Sequence, residues 1–522
     1  MHTINEATTG GMTAQLRAEW KKFRGSRGRI LALTAATLVT ILLGLLSAIS
    51  NHASCSQGSV EVACPVDPVG PDGRVVSDQF FFAHRTLGEN GSITVRMTSM
   101  TGIVTYPPPN HDKIVPGLVP WAKAGIIVKD GIGRGSAYAA LMMTGSHGVR
   151  MQDNYTHDTA GRAGGVSARS PRWLRLTRSG ATVTGYESTD GEQWTKVATA
   201  RLAGLPATAQ VGLFATSPGD LTLRPTGLGA SIGESRFTQA TGVFDHVSVG
   251  GASAGGWSRD AVGELGHTDW EKYHRAAGLV EADGTLTVTG SGDIGPIGTE
   301  GGRDVEDTLV GLVAGLIVLI VVAVRFATAE YRPGRVADAA FSGRVLAAKA
   351  IVVGAVTLVA GLLAAGVVLP VGTAIVRANG MTVLPVSTLT ELRVVVGAAA
   401  LVATAAVFAL ALGALLRRTW AALLVALGAV VLPYLLGGLP LLPDGVAEWL
   451  LRLSPAAGFA ILQTVREYPQ VVAHYVPSAG YFPLPGWAGF AVLCGHTAAA
   501  LGLAVYQLRR RVAASPPQAE WR

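Results

Sequence analysis

The stretch Ile30–Ile49, ILALTAATLVTILLGLLSAI, runs for 20 residues without one charged side chain. As an α-helix it would be about 30 Å long, the thickness of a bilayer's hydrocarbon core. Five further segments read the same way: near Leu309–Phe326, Ala350–Val371, Val394–Leu416, Trp420–Leu442 and Trp487–Leu508. The second is the shortest, and Arg325 near its end is expected to snorkel to the interface. Pro433 interrupts the fifth, which membrane helices tolerate better than soluble ones. Composition agrees: 49% of the residues are hydrophobic, 15% are charged, and the mean hydropathy is +0.37. That is too apolar for a soluble protein of 522 residues. The first segment is too long for the apolar region of a signal peptide and no clear A-x-A site follows it, so it reads as a retained anchor.

The net charge of +7 could suggest nucleic acid, but the cations sit beside the apolar segments and form no amphipathic stripe, which argues against it. Arg17, Lys21, Lys22, Arg24, Arg27 and Arg29 precede the first span. Arg332, Arg335, Arg344 and Lys349 lie between the second and third, Arg417 and Arg418 between the fourth and fifth, and Arg509, Arg510 and Arg511 after the sixth. The opposite loops hold few cations. The positive-inside rule then predicts a multi-pass protein of the cell membrane with both termini cytoplasmic. Residues 51–305 would be extracytoplasmic and residues 511–522 a cytoplasmic tail.

Residues 51–305 have another character. Short alternating runs recur: Ser92–Met97, Ala124–Lys129, Trp173–Thr177, Thr182–Tyr186, Gln210–Ala215 and Val243–Val249. Period-two patterning broken by Gly- and Asp-bearing turns predicts an antiparallel β-sandwich. Ser188-Thr189-Asp190-Gly191 is the clearest hairpin turn. Trp257, Trp270 and Leu286–Thr289 in the Gly-rich tail predict that it packs back on the sandwich. Cys55 and Cys64 lie nine positions apart. Outside the cytoplasm they could form a disulfide; two free thiols are the alternative.

Chemistry-bearing motifs are sparse. Gly251-Ala252-Ser253-Ala254-Gly255 matches G-x-S-x-G, but GWSRD follows where a nucleophile elbow needs a helix, so a small-residue turn is expected. The sequence contains neither a phosphate-binding G-x-x-x-x-G-K-[ST] loop nor H-E-x-x-H, and its Cys and His spacings suit no zinc site. No catalytic residue, metal or bound cofactor is therefore expected on this chain. His496 is the clear polar residue within a span and is expected to bond a neighbouring helix; buried carboxylates are not expected there.

Two resemblances add to this reading. Trp121–Asp130, WAKAGIIVKD, resembles the W-x-KAG-h-h-h-R/K-D strand of concanavalin-like jelly-roll domains. Trp173–Arg178 with Gly185–Trp194 resembles their later hairpin, so the likeness covers roughly residues 75–250. Many such domains bind glycans, and Trp121, Trp173 and Trp194 are the aromatic candidates; the other reading makes them core. The segment Leu16–Arg24, LRAEWKKFR, has Leu16, Trp20 and Phe23 at helical spacing and should lie flat at the inner interface. It resembles, with Glu19 and Lys21, the LRxEWxKhR opening of actinobacterial-type ABC-2 permeases. Thr328–Arg332, Gly334 and Gly343–Lys349 resemble the T-x-EYRxGT…R-x-R-h-x-AAK segment that follows the second span of that family. Arg335 stands where Thr is usual and Phe341-Ser342-Gly343 is shortened. Ala411–Arg418 resembles the fourth-span exit, and Ala447–Leu462 the outer re-entrant helices expected within about 443–486.

The resemblance implies a six-helix ABC-2 permease, residues 306–510 with the first helix, carrying an all-β jelly-roll-like domain between helices 1 and 2. It implies export by alternating access in a dimer with a second permease copy or homologue. It also implies a separate P-loop ATPase subunit that carries ATP and Mg and docks near Glu330, Tyr331, Arg332 and Arg344, within about 327–349. Membrane lipid is the other expected partner. The competing reading is a membrane-anchored protein that binds a glycan or other cell-envelope ligand.

Overall fold

The computed structural model describes residues 11–52, 54–57, 60–62, 66–107, 109–110, 112–226, 228–253, 255–264, 276–298, 302–331 and 342–514. An amphipathic helix α1 (Met12–Arg24) leads into α2 (Arg27–Ser50). The strands follow, and then a short 3-10 turn (Val305–Gly311) opens α3 (Leu312–Thr328). Next come α4 (Gly343–Ala378), α5 (Thr388–Leu416), α6 (Thr419–Gly438), α7 (Asp444–Leu453) and α8 (Gly486–Ala514).

Six helical segments are long and apolar enough to cross a membrane: Arg27–Ser50, Val305–Tyr331, Gly343–Ala378, Thr388–Leu416, Thr419–Gly438 and Gly486–Arg511. They coincide with the six expected spans; the second, third and fourth gain a turn or more at an end, and the fifth ends at Gly438, before the expected Leu442. The second is longer than expected at 27 residues because the 3-10 turn extends it into the loop, and the fifth, with 20, is the shortest. Helix α7 and the 3-10 turn Pro455–Leu462 meet at 98°, in the region where re-entrant helices were expected.

Helix α5 is the axis of the bundle, packing on α3, α4, α6 and α8. Its buried face is made largely of Ala and Gly, among them Ala398, Ala405, Ala409 and Gly413. Between helices already in lipid, such small residues permit the close backbone approach that dispersion requires. Gly315 does the same between α2 and α3, where an added Cβ would lie 2.0 Å from Thr40 Oγ1 and 2.9 Å from the Ala36 carbonyl. Pro370 lies inside α4, and Thr373 Oγ1 donates to the carbonyls of Leu369 and Pro370, 2.8 and 3.2 Å away. Asn379 Nδ2 donates to the carbonyls of Ala48 and Asn51 (3.2 and 3.0 Å), tying the end of α4 to the end of α2.

The β-domain is built on one long strand, β1 (Phe80–Thr105). Its neighbours are β2 (Lys123–Lys129), β3 (Tyr138–Thr144), β4 (Val149–Asp153), β5 (His157–Ala160), β6 (Arg172–Ser179), β7 (Thr182–Ser188), β8 (Thr195–Arg201), β9 (Ala209–Thr216), β10 (Ser231–Ala252), β11 (Ser258–Val262), β12 (Gly278–Ala282) and β13 (Thr285–Gly290). The main path runs β8-β7-β6-β1-β9-β2-β3-β4-β5, with all pairs antiparallel. The first part of β1 pairs with β9 and β11, and its later part with β6 and β10. One strand thus feeds Phe81, Leu87, Ile93 and Val95 into a single core with Ile126, Leu141, Leu174, Leu213 and Val288. All six alternating runs lie inside strands. The tail packs back as expected: β11 pairs with β1, β13 with β10, and Trp257 rests against the core. Trp270 lies outside the described residues.

The loop after β7 is closed by its own side chains. Asp190 Oδ1 accepts from the backbone N–H of Glu192 and Gln193 (2.8 and 2.9 Å), and Gly191 takes a φ of 81° that a side chain would strain. Those backbone bonds, with the Ser188 hydroxyl, hold the Asp190 carboxyl down at about 2. The G-x-S-x-G segment ends β10 and leads to strand β11, so no helix follows it; Ala254 lies outside the described residues.

Candidate functional site

Strands and bundle meet where α2 ends and the 3-10 turn begins. By connectivity, Glu330 and the start of α4 lie at the other end, one bundle length away. There the amphipathic helix α1 turns its Glu19 and Phe23 inward, to 3% and 1% exposure. Phe23 meets Phe326 of α3 edge-on, ring centroids 5.4 Å apart. Lys349 of α4, itself 1% exposed, places Nζ 2.7 Å from Glu19 Oε2, 2.9 Å from Glu330 Oε1 and 4.0 Å from the Phe326 ring centre. Lys22 bridges the same carboxylates, 2.7 Å from Glu19 and 3.1 Å from Glu330. Two cations and two anions thus pair beside one aromatic ring, over which the Arg29 guanidinium also lies, 4.7 Å from its centre. Desolvation alone would make each buried charge costly, and mutual pairing offsets it. Burial lowers the Lys22 pKa, and the hydrogen bonds and charges of Glu19 and Glu330 more than reverse this, leaving it above the ordinary lysine value. Arg29 Nη1 donates to the Lys22 carbonyl at 2.8 Å and closes the α1–α2 corner.

Of the residues expected to meet an ATPase, Glu330 joins this cluster. Tyr331 follows it with the Arg417 guanidinium 4.7 Å from its ring centre. Arg344 is exposed on the first turn of α4 and makes no ion pair among the described residues. Arg332 lies outside the described residues. Leu16 is half-buried against the bundle, whereas Trp20 and Lys21 are exposed. Lys22 and Lys349 were read in the sequence only as orientation charges. Lys22 and Glu19 are an i,i+3 pair on α1, but the pairings of Lys22 with Glu330 and of Lys349 with Glu19 span 308 and 330 positions and have no local signal.

At the β-domain end, Glu306 lies within the second span, which corrects the expectation of no carboxylates there. Thr464 holds it with its backbone N–H at 2.5 Å and its hydroxyl at 2.6 Å. His496 is corrected too: its Nδ1 lies 2.9 Å from the Val492 carbonyl of its own helix, one turn back. Next to Glu306, a polar cavity of about 270 Å³ opens between β-domain and bundle, lined by Asp72, Arg74, Asp304, Ser387, Arg466 and Tyr468. Arg74 donates to the Tyr468 hydroxyl, and Gln470 Nε2 donates to the Thr156 carbonyl at 3.1 Å, both across the seam. Burial, aided by the Asp307 charge, raises the Asp304 carboxyl to about 6.

The three expected glycan-contacting tryptophans do not gather. Trp121 is 5% exposed and stacks on His147 at 4.0 Å. Trp173 and Trp194 both lean on the Gly191 turn. Arg96 lies over Trp173 at 5.9 Å and Arg175 over Trp194 at 3.8 Å. Strand β2, the core of the jelly-roll resemblance, is buried throughout, lysines included. Lys123 pairs with Asp293 at 2.6 Å, and Lys129 with Asp78 at 2.9 Å and the Tyr155 hydroxyl at 3.0 Å. Cys55 opens a short strand, Cys55–Gln57, paired with Val60–Val62; Cys64 lies outside the described residues. No group of side chains suited to a metal ion occurs among the described residues.

No family model matches this chain, and no curated protein does. Among solved structures it is similar to a functionally unknown protein from Saccharomyces cerevisiae, with 16% identity over 33% of this chain and 74% of that one, at a TM-score of 0.20. It is also similar to a GH43 protein from Bacillus licheniformis, with 16% identity over 24% of each chain and a TM-score of 0.16. A third is scytalido-glutamic peptidase with a transition state analog inhibitor, with 9% identity over 41% of this chain and 98% of that one, at a TM-score of 0.27. At these scores none bears on function.

Proposed function

We propose that this chain is the membrane-spanning permease subunit of an ABC-2-type transporter, an exporter working by alternating access as a dimer. In this reading both termini are cytoplasmic, residues 51–305 form a jelly-roll-like domain outside, and a separate P-loop ATPase supplies ATP and Mg. The observation that carries the proposal is the ion cluster of buried Glu19 and Lys349 with half-buried Glu330 and exposed Lys22. It locks a surface helix to the exit of one span and the entry of the next, so a push on α1 or on the loop after Tyr331 reaches α3 and α4 together. A domain that merely anchors a sheet needs no such joint. The test reconstitutes the full chain with any P-loop ATPase found encoded beside it and measures ATP hydrolysis. Glu330→Gln should lower the stimulated rate about fivefold or more while assembly persists, the size of a typical coupling energy. If the wild-type chain neither binds that ATPase nor changes its rate, the reading is wrong.

One observation favours the glycan-binding alternative. A cleft of about 390 Å³ on the β-domain is lined by Arg85, Trp257, Glu281 and Asp283, with the Arg85 guanidinium 4.4 Å from the Trp257 ring centre. Polar groups beside an aromatic ring suit a sugar. A glycan array probed with the full chain in detergent decides: binding lost on Trp257→Ala supports this reading, and an empty array retires it.

A further inference from the structure

Helix α1 spends only one face on the ion cluster. Its other face carries Trp20, 44% exposed, at the mouth of an apolar groove of about 460 Å³ between α2 and α4. Leu33 and Leu38 form one wall and Val356, Val359 and Leu363 the other. Leu38, Val359 and Leu363 are 50%, 55% and 58% exposed. The Thr37 hydroxyl in the groove spends its proton on the Leu33 carbonyl, 3.1 Å away. From Ala355 to Leu363 the groove follows α4 for about 12 Å at 1.5 Å per residue, the shape of an acyl-chain segment. One helical turn either side of Trp20, and so on the same face, stand Arg17 and Arg24. Both are exposed and make no ion pair among the described residues, whereas Lys22 is consumed by the cluster.

We infer that this groove is a binding site for one anionic phospholipid, its acyl chain along Leu38 and Val359 and its phosphate at Arg17 and Arg24. An indole between an apolar slot and two guanidinium groups is the arrangement such a lipid needs. A second copy of the chain fits less well, because a symmetric contact would bring the same arginines together. The inference rests on the reading of the long apolar helices as membrane spans and is independent of ATPase coupling.

Native mass spectrometry of the full chain, extracted from vesicles of equal phosphatidylglycerol and phosphatidylcholine, tests it. Wild type should retain phosphatidylglycerol in preference by roughly thirtyfold, the factor two arginines near a charged surface supply. Arg17→Gln with Arg24→Gln should abolish the preference and leave the fold intact. Val359→Trp should lose both lipids, with Leu38→Trp as a second filling variant should the first not fold. Equal retention of the two lipids by wild type overturns the inference. So does phosphatidylglycerol retention unchanged in a folded filling variant, or a dimer that the filling variants dissolve, which would make the groove a contact between copies.

Discussion

Lys129 and Asp78 are both fully buried in the β-domain; the Tyr155 hydroxyl and the Gly135 N–H also donate to Asp78 Oδ2, while its Oδ1 is buried without a hydrogen-bond partner. Removing one charge leaves the other unpaired in an apolar setting. Lys129→Ala should therefore cost about 3–5 kcal/mol of stability, whereas Lys129→Met combined with Asp78→Leu should recover most of it. Denaturant unfolding followed by tryptophan fluorescence measures both. Asp304 makes the opposite kind of prediction, in pH. Its carboxyl sits at about 6 when folded, above the unfolded value of about 3.9, so the folded state holds the proton more tightly. The stabilisation from this group is complete below pH ~4 and is lost as pH rises through ~6. Asp304→Asn removes the titration at nearly the same size, so the fall in melting temperature over that window should flatten. The KAGIIVK pattern was legible in the sequence as a strand. That both its lysines point inward was not, because Asp78 and Asp293 lie far away in the chain.

Among the elements, the spans owe their packing to small residues more than to apolar bulk, since lipid solvates leucine as well as a neighbouring helix does. Gly315 is the most constrained position of this kind between α2 and α3. Gly315→Leu should destabilise the bundle by about 1–3 kcal/mol as an overpacking change, read as a lower melting temperature in detergent. The same substitution at Gly366, where an added Cβ meets nothing within 4 Å, should leave it nearly unchanged. Span positions were readable because twenty uncharged residues have few folded solutions. Span ends were not: Glu306 and Asp307 interrupt the apolar pattern and yet are part of the second helical segment.

For the whole molecule, the proposed orientation places the ion cluster and the β-domain on opposite sides of the membrane. In a cysteine-free background, Thr195→Cys on the β-domain should react with an impermeant maleimide on intact cells. Arg344→Cys should react only after permeabilisation, and the reverse pattern would refute the orientation. The sequence by itself determined that there are six apolar spans, that an alternating-pattern domain follows the first, and that cations crowd one set of span ends. Those features are periodic or compositional, so each is written locally in the chain. Only the tertiary structure decided that Glu19, Lys22, Glu330 and Lys349 join one ion-paired cluster, that Thr464 holds Glu306, and that Trp20 guards an apolar groove. Apart from the local Glu19–Lys22 pair, these depend on side chains distant in the chain meeting where the fold removes much of their water. There a charge must find its partner wherever the fold brings one, and local pattern carries no record of that choice.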